Sequence, residues 1–586
     1  MGIQLYLRLS IGQGNPEILF GDPERSQMFL QFYTDYAQGE TWKRVKPLPD
    51  ICDDHLSREG LSFVNACFYN CVKDHKLCKQ DKSTLPTRIL DIGSAGDDKI
   101  CLAESEALKP EKYVALSYCW GRNPSIKALT GNLEDMKTGI GLEELPAAYT
   151  DAIALTRELG RMLQDGRYIC QRFLDYCSLV INICDQSLST ASAQATTSSG
   201  SGPVRDLQRI NEKRKWAPIL LKVRLMQATG AHWKWRPSHS TDQQPLVEPL
   251  TQRGWTLQEK VLSTRLLSIS VMEMAWTCKE AIFCECGSKL NHQREFGGTP
   301  LSQISRHGEA FNFWHKVIEN YSKRNLTQAG DKLPAISAIA AIVQKKIGSD
   351  YVAGLWTDNI DLDLLWRRPS ASRIQAANSS YIAPSFSWAS ITGEVDYLCF
   401  RNGKWPYEKA ATVLEVNAVT GPDAPLGRVI SSKMIINGPM VMGYLESRGP
   451  YDWYAVRLGR ALLWFSADTS LSTIVNGSEV SVCRRSREHN RSDVAEELKR
   501  LNRKRNSGDT HHLTEPTTGN SAIRCWVLRL GAFPFGDKGQ RDHEWLVLGR
   551  SATQPELFER IGLGSLKDSQ EAEIFGLETI TTVAIV

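Results

Sequence analysis

Long hydrophobic runs are missing from this chain of 586 residues. Even its apolar stretch LLSISVMEMAWTC is cut by Ser268, Ser270 and Glu273, short of the roughly 18–20 apolar residues a membrane span needs. The opening MGIQLYLRLSIGQG lacks a charged n-region, a long apolar core and a small-residue cleavage site, so no secretory signal is expected. Tyr6 stands where a myristoylation signal carries Ser or Thr. A surplus of one charge sign is also lacking: 70 basic against 66 acidic side chains leave +4, too little over this length for a general phosphate-binding surface, and no nucleic-acid partner is expected. Neither a Walker lysine motif nor a Gly-x-Gly-x-x-Gly after a strand is present, which argues against those two phosphate cradles. These absences describe a soluble, cytoplasmic protein whose 15 cysteines stay reduced.

A hydrophobic fraction of 42% excludes wholesale disorder. The length allows three or four domains of about 150 residues. Leu5, Leu7 and Leu9 alternate with polar neighbours as in a half-buried strand, and Leu56, Phe63, Val64, Cys67, Cys71 and Val72 fall on one helical face. RILDI and KYVALSYCWG read as buried strands, and LPAAYTDAIALTRELG as an amphipathic helix closed by Gly160. Strand followed by helix points to an α/β unit. SLSTASAQATTSSGSGPVRD is too poor in apolar side chains to order as core, which makes 187–204 a loop. RGWTLQEKVLSTRLLSIS is a helix or turn leading into paired strands, AFNFWHKVIENYSKRNL and DKLPAISAIAAIVQKKIG are helices, and short alternating runs after PSFSWASI make the C-terminal third β-rich. Within that third, the basic segment 484–507 reads as a solvated loop or surface helix, with a nuclear-targeting or anionic-partner patch as the alternative.

Three stretches in order, LPTRILDIG…YVALSYCWG, LPAAYTDAIALTRELG and RGWTLQE…LSTRLL…WTC, resemble the fungal heterokaryon-incompatibility (HET) domain. Its signatures correspond here to Ser117, Tyr118, Trp120 and Gly121 in the first motif and to Arg253, Gly254, Trp255, Gln258 and Glu259 in the last. A looser likeness runs through the sequence to roughly residue 395. The resemblance implies an α/β fold, remotely TIR- or flavodoxin-like, followed by a helical region; the β-rich C-terminal domain that comes after it is read from the alternating runs. Together these readings divide the chain into an extension at 1–84, the HET domain at 85–290 with an atypical or degenerate segment at 161–250, a helical continuation at 291–395, and a β-rich domain at 396–586. Functionally the resemblance implies non-self recognition between fused fungal cells, programmed cell death or growth arrest, and signalling through protein partners or self-association. The alternatives are a TIR-like NAD hydrolase and a degenerate paralogue without activity. One departure stands out. RMLQDGRYICQRFLDYCSLVINICDQ replaces the family's Tyr-x-Trp-Ile-Asp strand and acidic Trp-x-x-Glu helix, which predicts a gap in the middle of the parallel sheet, although 179–192 matches the family's later apolar strand and small-residue loop.

No catalytic activity, cofactor or metal is expected. Ser117 lacks the Gly-x-Ser-x-Gly elbow of an exposed nucleophile. Cys119 has no histidine partner in its sequence context and behaves as a small apolar group. Glu259 is either an acid/base group or a helix-capping or Arg-paired carboxylate, and Arg253 pairs with a carboxylate or holds an anionic group. Trp120 and Trp255 are core aromatics or a functional surface. Cys52, His55, Cys67, Cys71, His75 and Cys78 contain no Cys-x-x-Cys pair, and Cys278, Cys284 and Cys286 are spaced unlike a zinc ribbon, so both groups read as structural thiols.

Overall fold

A computed structural model describes residues 8–10, 17–22, 26–33, 49, 51–52, 54–79, 85–104, 113–118, 126–163, 168–170, 179–183, 222–229, 232–235, 249–270, 273–285, 287, 304, 307–369, 380–397, 407–422, 424–447, 453–476, 479–484, 523–535, 540–568, 574 and 577–586. These form a mixed α/β protein with a large β-rich C-terminal sheet, divided into two compact units, Met1–Arg294 and Glu295–Val586. None of the described helices is long and apolar enough to cross a membrane. The loop expected at 187–204 lies outside the described residues, as does the basic segment 484–507 after Arg484.

In the first unit β1 (Arg8–Ser10), β2 (Glu17–Asp22) and β3 (Ser26–Tyr33) precede helix α1 (Arg58–Asp74). Ser57 caps α1 by accepting from the Gly60 N–H at 3.1 Å, satisfying one of the helix's unpaired donors. β4 (Arg88–Asp91), β5 (Lys99–Glu104) and β6 (Tyr113–Tyr118) follow, then α2 (Leu133–Thr138), β7 (Ile140–Gly141) and α3 (Ala147–Leu163), which runs past Gly160. Next come β8 (Tyr168–Cys170), β9 (Leu179–Ile183), β10 (Lys222–Thr229) and β11 (His232–Trp235). The unit closes with α4 (Pro249–Gln252), α5 (Trp255–Leu262), β12 (Arg265–Ile269), β13 (Met274–Cys278) and β14 (Ile282–Cys284). Strands β1–β3 pair with β10 and β11 in a separate five-stranded sheet.

The main sheet has the order β14-β13-β12-β9-β6-β8-β4-β5-β7. Its centre, β8-β6-β9-β12, is parallel. This corrects the gap expected from the atypical segment. β6 is buried at all six positions, so its main-chain groups need partners on both edges. Tyr168–Cys170 supplies one edge and Leu179–Ile183 the other, two short apolar runs that keep strand character without the Tyr-x-Trp-Ile-Asp pattern. Alternation along β6 splits the core in two. Val114, Leu116 and Tyr118 join α1 and α3 side chains in one cluster, while Tyr113 and Ala115 pack with Ile89 and Leu266 in another. Helix α1, within the segment read as an N-terminal extension, thus contributes Val64, Cys67, Phe68 and Cys71 to the core.

The second unit opens with the two expected helices, α6 (His307–Tyr321) and α7 (Ser337–Ile347), the latter entered through a 3-10 turn at Pro334–Ile336. Beyond residue 347 the helical expectation gives way to short pairings, Tyr351–Val352 with Leu355–Trp356 and Trp366–Arg367 with Asp396–Tyr397. Trp356, Trp366 and Trp388 are fully buried in this stretch, and Trp314 of α6 meets Trp356 edge-on at 5.5 Å. Past residue 407, antiparallel pairing runs from Val429–Ser447 to Trp453–Leu458, Ala461–Ala467, Phe558–Lys567, Gln540–Arg550 and Arg524–Phe535, and returns to Val429–Ser447. The path is a closed ring, and Val456, Leu463, Phe465, Val527, Trp545, Val547 and Ile561 form its core.

Glu544 lies in that ring with 3% of its surface exposed, and burial pushes its carboxyl up to about 7 against the Ser565 hydrogen bond and the Arg367 charge that favour ionisation. A carboxyl raised in the fold stabilises fully below its unfolded value near 4.5, and that stability is lost as pH rises through about 7. Glu544→Gln, neutral at every pH, should therefore exceed the natural chain in unfolding free energy at pH 8 by up to about 3 kcal/mol and match it at pH 4.5. Denaturant titrations of both chains at the two pH values measure this, and an equal difference at both would rule it out.

Candidate functional site

The three stretches that carry the resemblance converge at the C-terminal end of β6. Ser117 and Tyr118 are its last two residues, both buried. Ser117, on the face opposite α1 and α3, donates its hydroxyl hydrogen to Glu259 Oε2 across 142 residues of chain. Arg253 Nη1 donates to the Tyr118 carbonyl at 2.7 Å, across 135 residues. On the other face the Tyr118 ring meets Tyr149 of α3 edge-on at 4.9 Å, and burial together with a hydrogen bond to Tyr118 pushes the Tyr149 phenol well above its ordinary value.

Local sequence explains how α5 delivers these groups. Thr256 Oγ1 donates to the carbonyls of Leu250 at 2.5 Å and Arg253 at 2.9 Å, fixing the elbow between α4 and α5. Gly254, buried, is the N-cap, and Leu257 is buried one turn on. Gln258 and Glu259 are half-buried. Trp255 is 39% exposed and so is not a buried core aromatic. Trp120 and Gly121, with Cys119, lie outside the described residues. The hydroxyl of Ser117 is a hydrogen-bond donor to Glu259. The result is a hydrogen-bonded joint between strand and helix, in which the Ser117 hydroxyl is directed to Glu259 and one Arg253 nitrogen to main chain, with an aromatic side chain on the exposed side.

One anchoring residue escaped the sequence reading. Arg157 of α3 donates Nε at 3.0 Å and Nη2 at 2.6 Å to the Ile92 carbonyl, and Nη2 at 2.9 Å to the Asp97 carbonyl, tying the third turn of the helix to the turn after RILDI. An arginine amid the polar positions of an amphipathic helix carries no signal of such a contact.

The thiols also group differently from the sequence reading. Cys71, His75, Cys78 and Cys278 place one ligand-type atom each within 4.8 Å of every other. Cys67 stays outside that group, buried, with its thiol pushed up to about 12 by burial. Cys284 donates to Glu273 at 2.6 Å, and Cys286 lies outside the described residues. In comparisons with known proteins, no family model, curated protein or solved structure matches the chain.

Proposed function

We propose that this chain is a HET-type incompatibility protein, in which the joint between α5 and β6 presents Trp255 to a protein partner or a second copy and so triggers growth arrest or cell death. The observation that supports the reading is the meeting of both signatures through Ser117–Glu259 and Arg253–Tyr118. Polar groups used in this way favour a contact surface over a reacting centre. Inducible expression of the full chain in a fungal host tests it. The natural chain should arrest growth; Trp255→Ala should abolish arrest with an unchanged melting temperature, and Arg253→Ala should abolish it while costing about 1–2 kcal/mol of stability for the lost hydrogen bond. Normal growth under full expression of the natural chain would overturn the proposal.

A TIR-like NAD hydrolase is the second reading, favoured by one observation. In chain order the parallel strands β6, β8, β9 and β12 occupy positions 2-1-3-4 across the sheet, the winding of flavodoxin-like sheets, whose ligands bind at the switch point beyond the carboxyl ends of the first and third strands. Glu259 hydrogen-bonds at that end of β6. Purified chain that consumes NAD, and a Glu259→Gln variant that does not, would support hydrolysis; stable NAD with the chain folded would exclude it. A degenerate paralogue would arrest no growth and consume no NAD.

A further inference from the structure

We infer that Cys71, His75, Cys78 and Cys278 form a structural zinc site. The sequence run Cys71-x3-His75-x2-Cys78 winds from the last turn of α1 through its C-cap into the 3-10 turn Lys76–Cys78, so three ligands come from one short segment. The fourth, Cys278, ends β13 about 200 residues later, and its Sγ lies 3.2 Å from His75 Nδ1. Three sulfurs and one imidazole nitrogen within 4.8 Å of one another are the donor set of a closed Cys3His site. Zinc–sulfur bonds of about 2.3 Å give a tetrahedron with edges near 3.8 Å, so no separation has to close by more than about 1 Å.

The surroundings fit a metal centre. The Ala281 N–H donates to Cys278 Sγ at 3.3 Å, and the Cys278 N–H to the Ala281 carbonyl at 2.8 Å, a turn that aims main-chain hydrogen at sulfur. Buried Arg265 donates from Nε to Cys71 Sγ at 3.3 Å and from Nη2 to the Cys78 carbonyl at 2.6 Å. Zinc with three thiolates and a neutral imidazole carries one net negative charge, which the adjacent guanidinium balances; such outer contacts orient and tune metal ligands. Loading replaces three thiol protons by Zn2+, with the protons passing to solvent and no change of oxidation state. Four protein ligands leave no open position, so the ion clamps α1 to the turn between β13 and β14 and performs no chemistry on a substrate. The site is independent of the α5–β6 joint and of the reading placed on it.

The test measures metal in the purified full chain and follows Co2+ replacement by absorption spectroscopy. We expect one zinc per chain, and with Co2+ the visible bands of a tetrahedral ion together with sulfur-to-metal charge transfer. Cys278→Ser and His75→Ala should reduce bound zinc at least fivefold; Cys101→Ser, outside the cluster, should keep it. His75→Cys should retain the metal with stronger charge-transfer bands, which a merely structural histidine would not produce. Less than a tenth of a zinc per chain after incubation with Zn2+, a Co2+ spectrum without sulfur bands, or full metal content in Cys278→Ser would each overturn the assignment. Should the variants fail to fold, the Co2+ spectrum of the natural chain decides alone.

Discussion

Arg560→Ala should lower the stability of the second unit by about 3–5 kcal/mol, the cost of stranding one member of a buried ion pair. Arg560 and Asp468 are both fully buried, 2.8 Å apart. Arg560 also donates to the carbonyls of Leu364 at 2.7 Å and of Trp366, and its guanidinium lies 3.5 Å from the centre of the Trp366 ring. Alanine removes all of these at once and leaves the carboxylate of Asp468, whose Oδ1 lacks a hydrogen-bond partner among the described residues, in a low-dielectric interior. Because the pair itself is costly to desolvate, Arg560→Met combined with Asp468→Leu should lose far less than the single change. Guanidinium denaturation of the single and double variants measures both, and a single-variant loss under about 1 kcal/mol would show that the charges are not buried as described.

Trp276→Ala should cost the first unit a comparable amount, about 3–5 kcal/mol, for a cavity left by a fully buried indole. Trp276 sits at the centre of β13 and meets Phe68 of α1 edge-on at 6.1 Å, so its loss opens the contact between helix and hairpin. Among the described residues its buried Nε1–H has no hydrogen-bond partner. Trp276→Phe removes that unpaired donor along with part of the ring, and its cost should stay below about 1.5 kcal/mol. Calorimetry on the two variants tells them apart: both remove the indole N–H, so equal losses would mean that the phenylalanine ring fills none of the cavity. With two compact units, each substitution should move its own transition.

Periodicity made most elements of the first unit legible. Val64, Cys67 and Cys71 recur at helical spacing and fall inside α1, and the continuous apolar run of YVALSY is the fully buried β6. Three-residue β8 defeated the same method, because a run as short as Tyr-Ile-Cys has no period to read and acquires its conformation from the strand beside it. The candidate site was half legible. Each signature could be quoted from the sequence, yet the pairing of Ser117 with Glu259 depends on a sheet that brings together positions 142 residues apart. The thiol cluster failed for a similar reason: Cys71, His75 and Cys78 match no Cys-x-x-Cys pattern, and their fourth member lies 200 residues downstream at the end of β13.

The closed ring of the second unit sets an order on its biosynthesis. Val429–Ser447 must pair with Arg524–Phe535, nearly a hundred residues later, and with Thr579–Ile585, which aligns Met434 with Ile585. The Val586 N–H and carbonyl then bond to Phe558 and Ser385. Thr412–Thr420 and Trp453–Leu458, the neighbours in sequence of the 19-residue strand Val429–Ser447, pair with parts of it, but its edges facing Arg524–Phe535 and Thr579–Ile585 wait until those distant partners emerge. Premature termination anywhere between residues 536 and 578 would release a chain that has Arg524–Phe535 but lacks Thr579–Ile585, leaving the Met434–Met440 edge uncovered, a substrate for chaperones and for aggregation rather than a shortened working protein.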